Sequence, residues 1–143
     1  MRSIARRERG QAIVEFALIL PVLLLLILGL IDAARAITQE NTLASAAREG
    51  TRYAIVHGSS AASPVGWCSS CTNRTAINNA VSSAAIGVPT VTVTVDYPDG
   101  NNKRGSRVSV IATSAFVPLP SQFLLNGALT VTLRGGSTMV IEY

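Results

Sequence analysis

Residues 10–31 have the sequence GQAIVEFALILPVLLLLILGLI, the longest run of mainly apolar residues in the chain. From Ala12 to Ile31 only Glu15 is charged. At about 1.5 Å per residue, a helix of this length crosses a hydrocarbon core of about 30 Å. Pro21 does not argue against a helix, because membrane helices tolerate proline. We therefore predict a transmembrane helix over residues 11–31.

The Glu15 carboxylate at the start of this span needs an explanation. A charge is costly inside lipid, so a partner is expected. One interpretation is local: the helix dipole favours an acid in the first turn, and Arg9 is close enough to pair with it. The other is that the carboxylate finds its partner in an assembly.

The basic residues concentrate before the span. Four of the twelve, Arg2, Arg6, Arg7 and Arg9, lie within residues 1–10, and without this leader eight bases face seven acids. The distribution predicts a cytoplasmic N-terminus, with all residues after 31 on the far side of the membrane. It argues against nucleic-acid binding, since no strong basic patch remains.

The helix is expected to continue over residues 32–57, which contain good helix formers and no proline. Asp32 and Arg35 are three residues apart and can pair where the helix leaves lipid. One face is apolar and should be covered: Ile37, Ala44, Ala47, Tyr53 and Ala54. The charged residues should stay in solvent: Arg48, Glu49 and Arg52. Gly50 is a possible weak point in this helix.

The sequence of residues 58–143 predicts a small α+β domain, which we call the head. A Gly/Ser/Pro-rich loop leads to Cys68 and Cys71, which we expect to be bonded in an oxidising compartment. A thioredoxin-like redox motif would need a βαβ context, which this loop lacks. A helix over 75–85 precedes three strands, at 90–97, 107–117 and 128–143, the last broken or bulged at Gly135 and Gly136. The long helix should cover the apolar face of this antiparallel sheet.

The inventory of reactive residues predicts no enzyme, no metal site and no cofactor. The single histidine, His57, follows the helix and has no second histidine with which to bind a metal. Known hydrolase, metalloprotease and phosphate-loop motifs are absent from the sequence. Trp67 and the turn at 103–107 are candidates for ligand contact in the head, although a packed Trp and a solvated turn are the expected state.

Gly10 follows a basic leader. Four residues separate it from the pair Glu15 and Phe16, which lie at the start of the apolar helix. This order resembles the type IV pilin signal, and more closely its tight-adherence (Flp-type) version. With AAREGTRYA farther on and RGGSTMVIEY at the end, the chain is similar to TadE-like proteins, minor pilins or pseudopilins of that system.

The resemblance implies a pilin-like fold and cleavage by a prepilin peptidase between Gly10 and Gln11, with Glu15 and Phe16 serving recognition and assembly. It implies an inner-membrane protein with its head outside, able to enter an extracellular pilus. The implied partners are other pilin subunits, the peptidase, the inner-membrane assembly platform and membrane lipid. The chain is longer than the very short major pilins, which favours a minor subunit.

Two alternatives remain open at this stage. Ala34, Arg35 and Ala36 have the small-x-small form of an ordinary signal-peptidase site, and cleavage there would release a soluble protein starting at Ile37. Alternatively, the head is a membrane-tethered binding module that never assembles into a fibre.

Overall fold

The structure of the protein is a computed structural model that describes residues 4–67 and 74–142. In chain order its elements are α1 (Ile4–Val56), α2 (Arg74–Ala84), β1 (Thr92–Asp96), β2 (Arg107–Phe116), α3 (Leu119–Leu124) and β3 (Val131–Val140). The fold is α+β and pilin-like, with a long N-terminal helix packed on a small antiparallel sheet, as predicted. The chain forms two compact units, one of Met1–Arg35 with Val117–Leu129 and one of Ala36–Phe116 with Thr130–Tyr143.

Helix α1 is longer than predicted at its N-terminal end. It begins at Ile4 rather than near residue 12, because Ala, Arg and Glu in the leader favour helix as strongly as the residues that follow. Pro21 lies inside the helix without ending it. The leader and the span are therefore one helical element.

The core of the second unit lies where α1 and α2 meet the sheet. From α1 the buried apolar side chains are Leu43, Ala46, Ala47 and Ala54; α2 adds Ile77 and Val81, and β2 adds Val108, Val110 and Ala112. The charged side chains of Arg48, Glu49 and Arg52 are exposed, as predicted.

One residue of the predicted apolar face is placed wrongly. Ile37 is 60% exposed. The buried row is centred on Leu43 and Ala47, and at 3.6 residues per turn Ile37 lies about a third of a turn away from Leu43. Leu43, which the sequence did not single out, is fully buried in place of Ile37.

The three strands form one sheet in the order β1-β2-β3, with both pairs antiparallel. Val95 pairs with Val110 across the first pair, and Ala112 pairs with Gly135 across the second. In β1, Val95 is buried while Thr92 and Thr94 are exposed, which confirms the half-buried alternation. The predicted strands and the 75–85 helix are confirmed to within three residues at each end.

The predicted break at Gly135 and Gly136 is wrong, because β3 pairs with β2 continuously through both glycines. A Cβ built on Gly135 would lie 2.2 Å from the backbone nitrogen of Ala44 and 2.3 Å from the carbonyl carbon of Leu43. Glycine is present because the backbones of β3 and α1 nearly touch here. Gly50 is likewise no weak point; a Cβ there would lie 2.3 Å from Val81 Cγ2, so α2 packs directly against it.

The turn between β1 and β2 is closed by an ion pair. The Asp99 carboxylate accepts hydrogen bonds from the Arg107 guanidinium at 2.8 Å and from the Arg107 backbone nitrogen at 2.8 Å. These bonds hold the pKa of Asp99 below its ordinary value of 3.8. A lowered pKa in the folded state means that the contact stabilises fully above the unfolded-state pKa. This stabilisation is lost as pH falls through the folded-state pKa.

Replacing Arg107 with glutamine is expected to raise the pKa of Asp99 toward 3.8, because the guanidinium supplies the largest part of the shift. NMR titration of the Asp99 carboxyl carbon measures this directly. Lys103→Gln is the control, since Lys103 lies in the same turn, is exposed and is not bonded to Asp99. An Asp99 pKa that does not respond to Arg107→Gln would contradict the assignment.

Candidate functional site

The residues that the sequence assigned to processing and assembly lie on neighbouring turns of α1. Gly10, Gln11, Glu15 and Phe16 are all exposed, and Phe16 is 63% exposed although it is aromatic. A Cβ on Gly10 would have no heavy atom within 4 Å, so packing does not account for glycine at this position.

Glu15 is an isolated acid on this surface. Among residues 10–67 and 74–142, no side chain forms a hydrogen bond or ion pair with it. Gln11 lies four residues earlier, which places the two residues one helical turn apart on the same side of α1. The Glu15 carboxylate is therefore exposed on the same side of α1 as Gln11.

The apolar surface around this acid is large. Within Gly10–Val56, an 18-residue window has a mean hydropathy of 2.9, and none of it is buried inside the protein. In length and composition, this is the one helix of the described chain that could cross a membrane. Apolar side chains left uncovered in this way need lipid or another protein around them.

Asp32 lies where the apolar run ends and is buried, with 6% of its surface exposed. Its Oδ1 accepts a hydrogen bond from Arg35 at 2.9 Å, which confirms the predicted pair. Its Oδ2 accepts a second bond, from the Leu119 backbone nitrogen at 2.6 Å. The sequence carried no signal for this second contact, because 87 residues separate the partners.

Replacing Asp32 with alanine is expected to loosen the segment that begins at Leu119. A hydrogen bond to a charged group contributes about 1.5–3 kcal/mol. Amide hydrogen exchange of residues 119–129 should therefore accelerate about tenfold or more. Asp32→Asn is the matched control, because its side-chain carbonyl still accepts from Leu119, and it should show a smaller acceleration. Equal exchange in all three proteins would show that Asp32 does not hold this segment.

The head residues that could take part in catalysis or ligand binding either contact other residues of the head or are exposed. Nδ1 of His57 donates to the Tyr53 carbonyl at 2.8 Å, and the two rings stack with centroids 4.1 Å apart. Trp67 is 51% exposed, so the expectation of a packed Trp is wrong. Lys103 and Arg104 are exposed, as expected for a solvated turn. Cys68 and Cys71, which we predicted to be bonded, lie outside the described residues.

The described part of the head shows no cluster of the side chains that usually bind metal ions. Across residues 4–67 and 74–142, the structure brings no three His, Cys, Asp or Glu side chains together in a group that could hold a metal ion. Most of the large apolar side chains that are exposed in the described chain lie on helix α1.

Comparison with known proteins bears on this helix. No curated protein and no solved structure matches the chain. Residues 10–52 match the family model described as TadE-like protein, which confirms the resemblance predicted from the sequence and points to a membrane-anchored, Tad pilus-associated protein.

Proposed function

We propose that the chain is a minor pilin or pseudopilin of a tight-adherence (Flp-type) pilus system, processed by a prepilin peptidase between Gly10 and Gln11. The observation that carries the proposal is the match to the TadE-like family, which begins at Gly10 and covers the whole apolar span. Glu15 and Phe16 are exposed and lie within the matched residues, and we assign them to recognition and assembly because of their resemblance to the pilin signal.

The proposed mechanism is electrostatic. Cleavage after Gly10 turns Gln11 into a new N-terminus with a positive amine, one helical turn from Glu15. In an assembly, the Glu15 carboxylate of one subunit meets the amine of its neighbour, and exclusion of water strengthens the attraction. A carboxylate that is costly in lipid and neutralised by a neighbour favours packed subunits and fixes their axial register.

The proposed topology follows from the charges. The arginine-rich leader stays in the cytoplasm, the span crosses the inner membrane once, and the head lies outside. The partners are other pilin subunits, the peptidase and the inner-membrane assembly platform. The chain is a substrate of the peptidase rather than an enzyme. Incorporation into an extracellular pilus is the final step of this proposal.

Retention of the span is also supported by Asp32. Signal-peptidase cleavage after Ala36 would remove Asp32 and leave the Leu119 N–H without its acceptor. The same cut would uncover the apolar residues of α3 that line a hollow with Leu24 and Leu28. A released head would lack both contacts, which favours retention of the span over cleavage after Ala36.

Mass spectrometry of sheared fibres and of membranes, from cells that carry the pilus machinery, tests the role. The proposal expects peptides of this chain in the fibre fraction, or in membranes in complex with other pilins, and no such association in cells that lack the peptidase. Protein that stays monomeric beside its co-expressed pilins would indicate a tethered binding module instead. Soluble protein starting at Ile37 would indicate a secreted factor.

A further inference from the structure

The segment Val117–Leu129 lies against the apolar span. Together, α3 and α1 line an open apolar hollow of about 390 Å³, formed by Pro21, Leu24, Leu25, Leu28, Pro120, Phe123 and Leu124. All of these residues belong to the first compact unit. The four from α1 lie within residues 12–31, so any membrane that surrounds the span reaches the depth of α3.

Most of the exposed side chains of this segment are apolar, although the polar side chains of Gln122 and Asn126 are exposed as well. Phe123 is 80% exposed, Leu124 69%, Leu125 51% and Leu129 58%. The sequence contains no charged residue between Arg107 and Arg134. In water these side chains would form an unfavourable patch, whereas in lipid they need no further cover.

Several backbone polar groups of the segment have hydrogen-bond partners, as lipid requires. The Ser121 carbonyl accepts from the nitrogens of Leu125 at 3.0 Å and Gly127 at 2.9 Å. The Ser121 hydroxyl accepts from the Leu129 nitrogen at 2.9 Å and donates to the Leu129 carbonyl at 3.2 Å. At its start, the Leu119 nitrogen is bound by Asp32, at the polar end of the span.

From these observations we propose that Val117–Leu129 is a second membrane-contacting element, which inserts its apolar side chains among the acyl chains around Leu24 and Leu28. The proposal rests on the membrane anchoring that is part of the proposed function, but it does not require pilus assembly. Lipid is the occupant because the hollow and the exposed patch are continuous with the lipid-facing surface of α1. The chain would therefore be held by two elements rather than one.

Single-tryptophan reporters in the full chain test the proposal. In a Trp67→Phe background, Leu124→Trp places the probe on α3, Ile19→Trp on the span and Ile86→Trp on the second unit. Each replaced side chain is exposed, at 69%, 56% and 83%, so each site accepts a larger ring. The proteins are reconstituted in phosphatidylcholine vesicles with and without bromine on the acyl chains, and iodide serves as the aqueous quencher.

The proposal expects bromolipid quenching and a blue-shifted emission for Leu124→Trp and Ile19→Trp, and iodide quenching for Ile86→Trp. Quenching of Ile19→Trp without quenching of Leu124→Trp would overturn it while leaving the anchor intact, and would indicate a protein over the hollow. Failure of bromolipid to quench Ile19→Trp would overturn the anchor as well. If bromolipid quenched Ile86→Trp as strongly as Leu124→Trp, lipid contact would not be specific to Val117–Leu129. That result would also overturn the proposal.

Discussion

Replacing Gly135 with alanine is expected to unfold the second unit or to lower its free energy of unfolding by about 3 kcal/mol or more, the upper end of overpacking costs. The added Cβ would lie within 2.6 Å of three backbone atoms of Leu43 and Ala44. Backbone in a helix cannot move aside as a side chain can, so α1 and β3 must separate. A domain with a total stability of about 5–15 kcal/mol cannot absorb such a loss without consequence.

Gly136→Ala is the matched control. Gly136 is the next residue in the same strand, and a Cβ there would meet no atom closer than 3.8 Å. Its substitution should change the free energy of unfolding by less than about 1 kcal/mol. Gly50→Ala should fall between the two, because its nearest neighbour is a methyl group of Val81.

Chemical denaturation of the three detergent-solubilised variants, followed by circular dichroism, measures this order. The account of the core expects Gly136→Ala to resemble the unmodified chain and Gly135→Ala to be the least stable. If Gly135→Ala is as stable as Gly136→Ala, the close approach of β3 and α1 is wrong.

Replacing Glu15 with glutamine is expected to reduce incorporation into pilin assemblies by about tenfold or more, which corresponds to about 1.4 kcal/mol of association free energy. Removing one partner of a desolvated ion pair leaves the other charge uncompensated, and such changes cost about 3–5 kcal/mol. In the proposed assembly, the uncompensated charge would be the amine of Gln11. The loss should therefore exceed that of an ordinary surface substitution.

Glu40→Gln is the control for charge, because Glu40 is an exposed acid on the same helix outside the apolar span. Quantitative mass spectrometry of co-purified pilins measures incorporation, and the mass of each variant shows whether the leader was removed. Cleaved Glu15→Gln protein that assembles as well as Glu40→Gln would count against the electrostatic mechanism.

Local patterns were sufficient to predict every element of the fold except α3. The alternation of valine and threonine in β1 was confirmed, and the apolar run that contains Glu15 lies in one helix, since each pattern reflects repeating contacts along one element. The family resemblance came from the spacing of Gly10, Glu15 and Phe16, and the match over residues 10–52 confirmed it.

Contacts between distant residues could not be predicted in this way. Gly135 looked like a strand breaker because its reason for being glycine lies in Leu43 and Ala44, about ninety residues away. Helix α3 was missed because PLPSQFLLNG carries turn residues, and its stabilising contact comes from Asp32. Gly10 and Glu15 are the opposite of Gly135. Their spacing in the sequence identified them, whereas the described chain makes no contact that would have done so.

In the proposed mechanism, Glu15 in the lipid-facing span is neutralised by an amine that only cleavage after Gly10 creates. N-terminal sequencing of the mature protein, purified from membranes of cells that contain the prepilin peptidase, shows whether that amine exists. The account expects the mature chain to start with Gln11, Ala12, Ile13. A chain that still starts at Met1, or one that starts at Ile37, would contradict it.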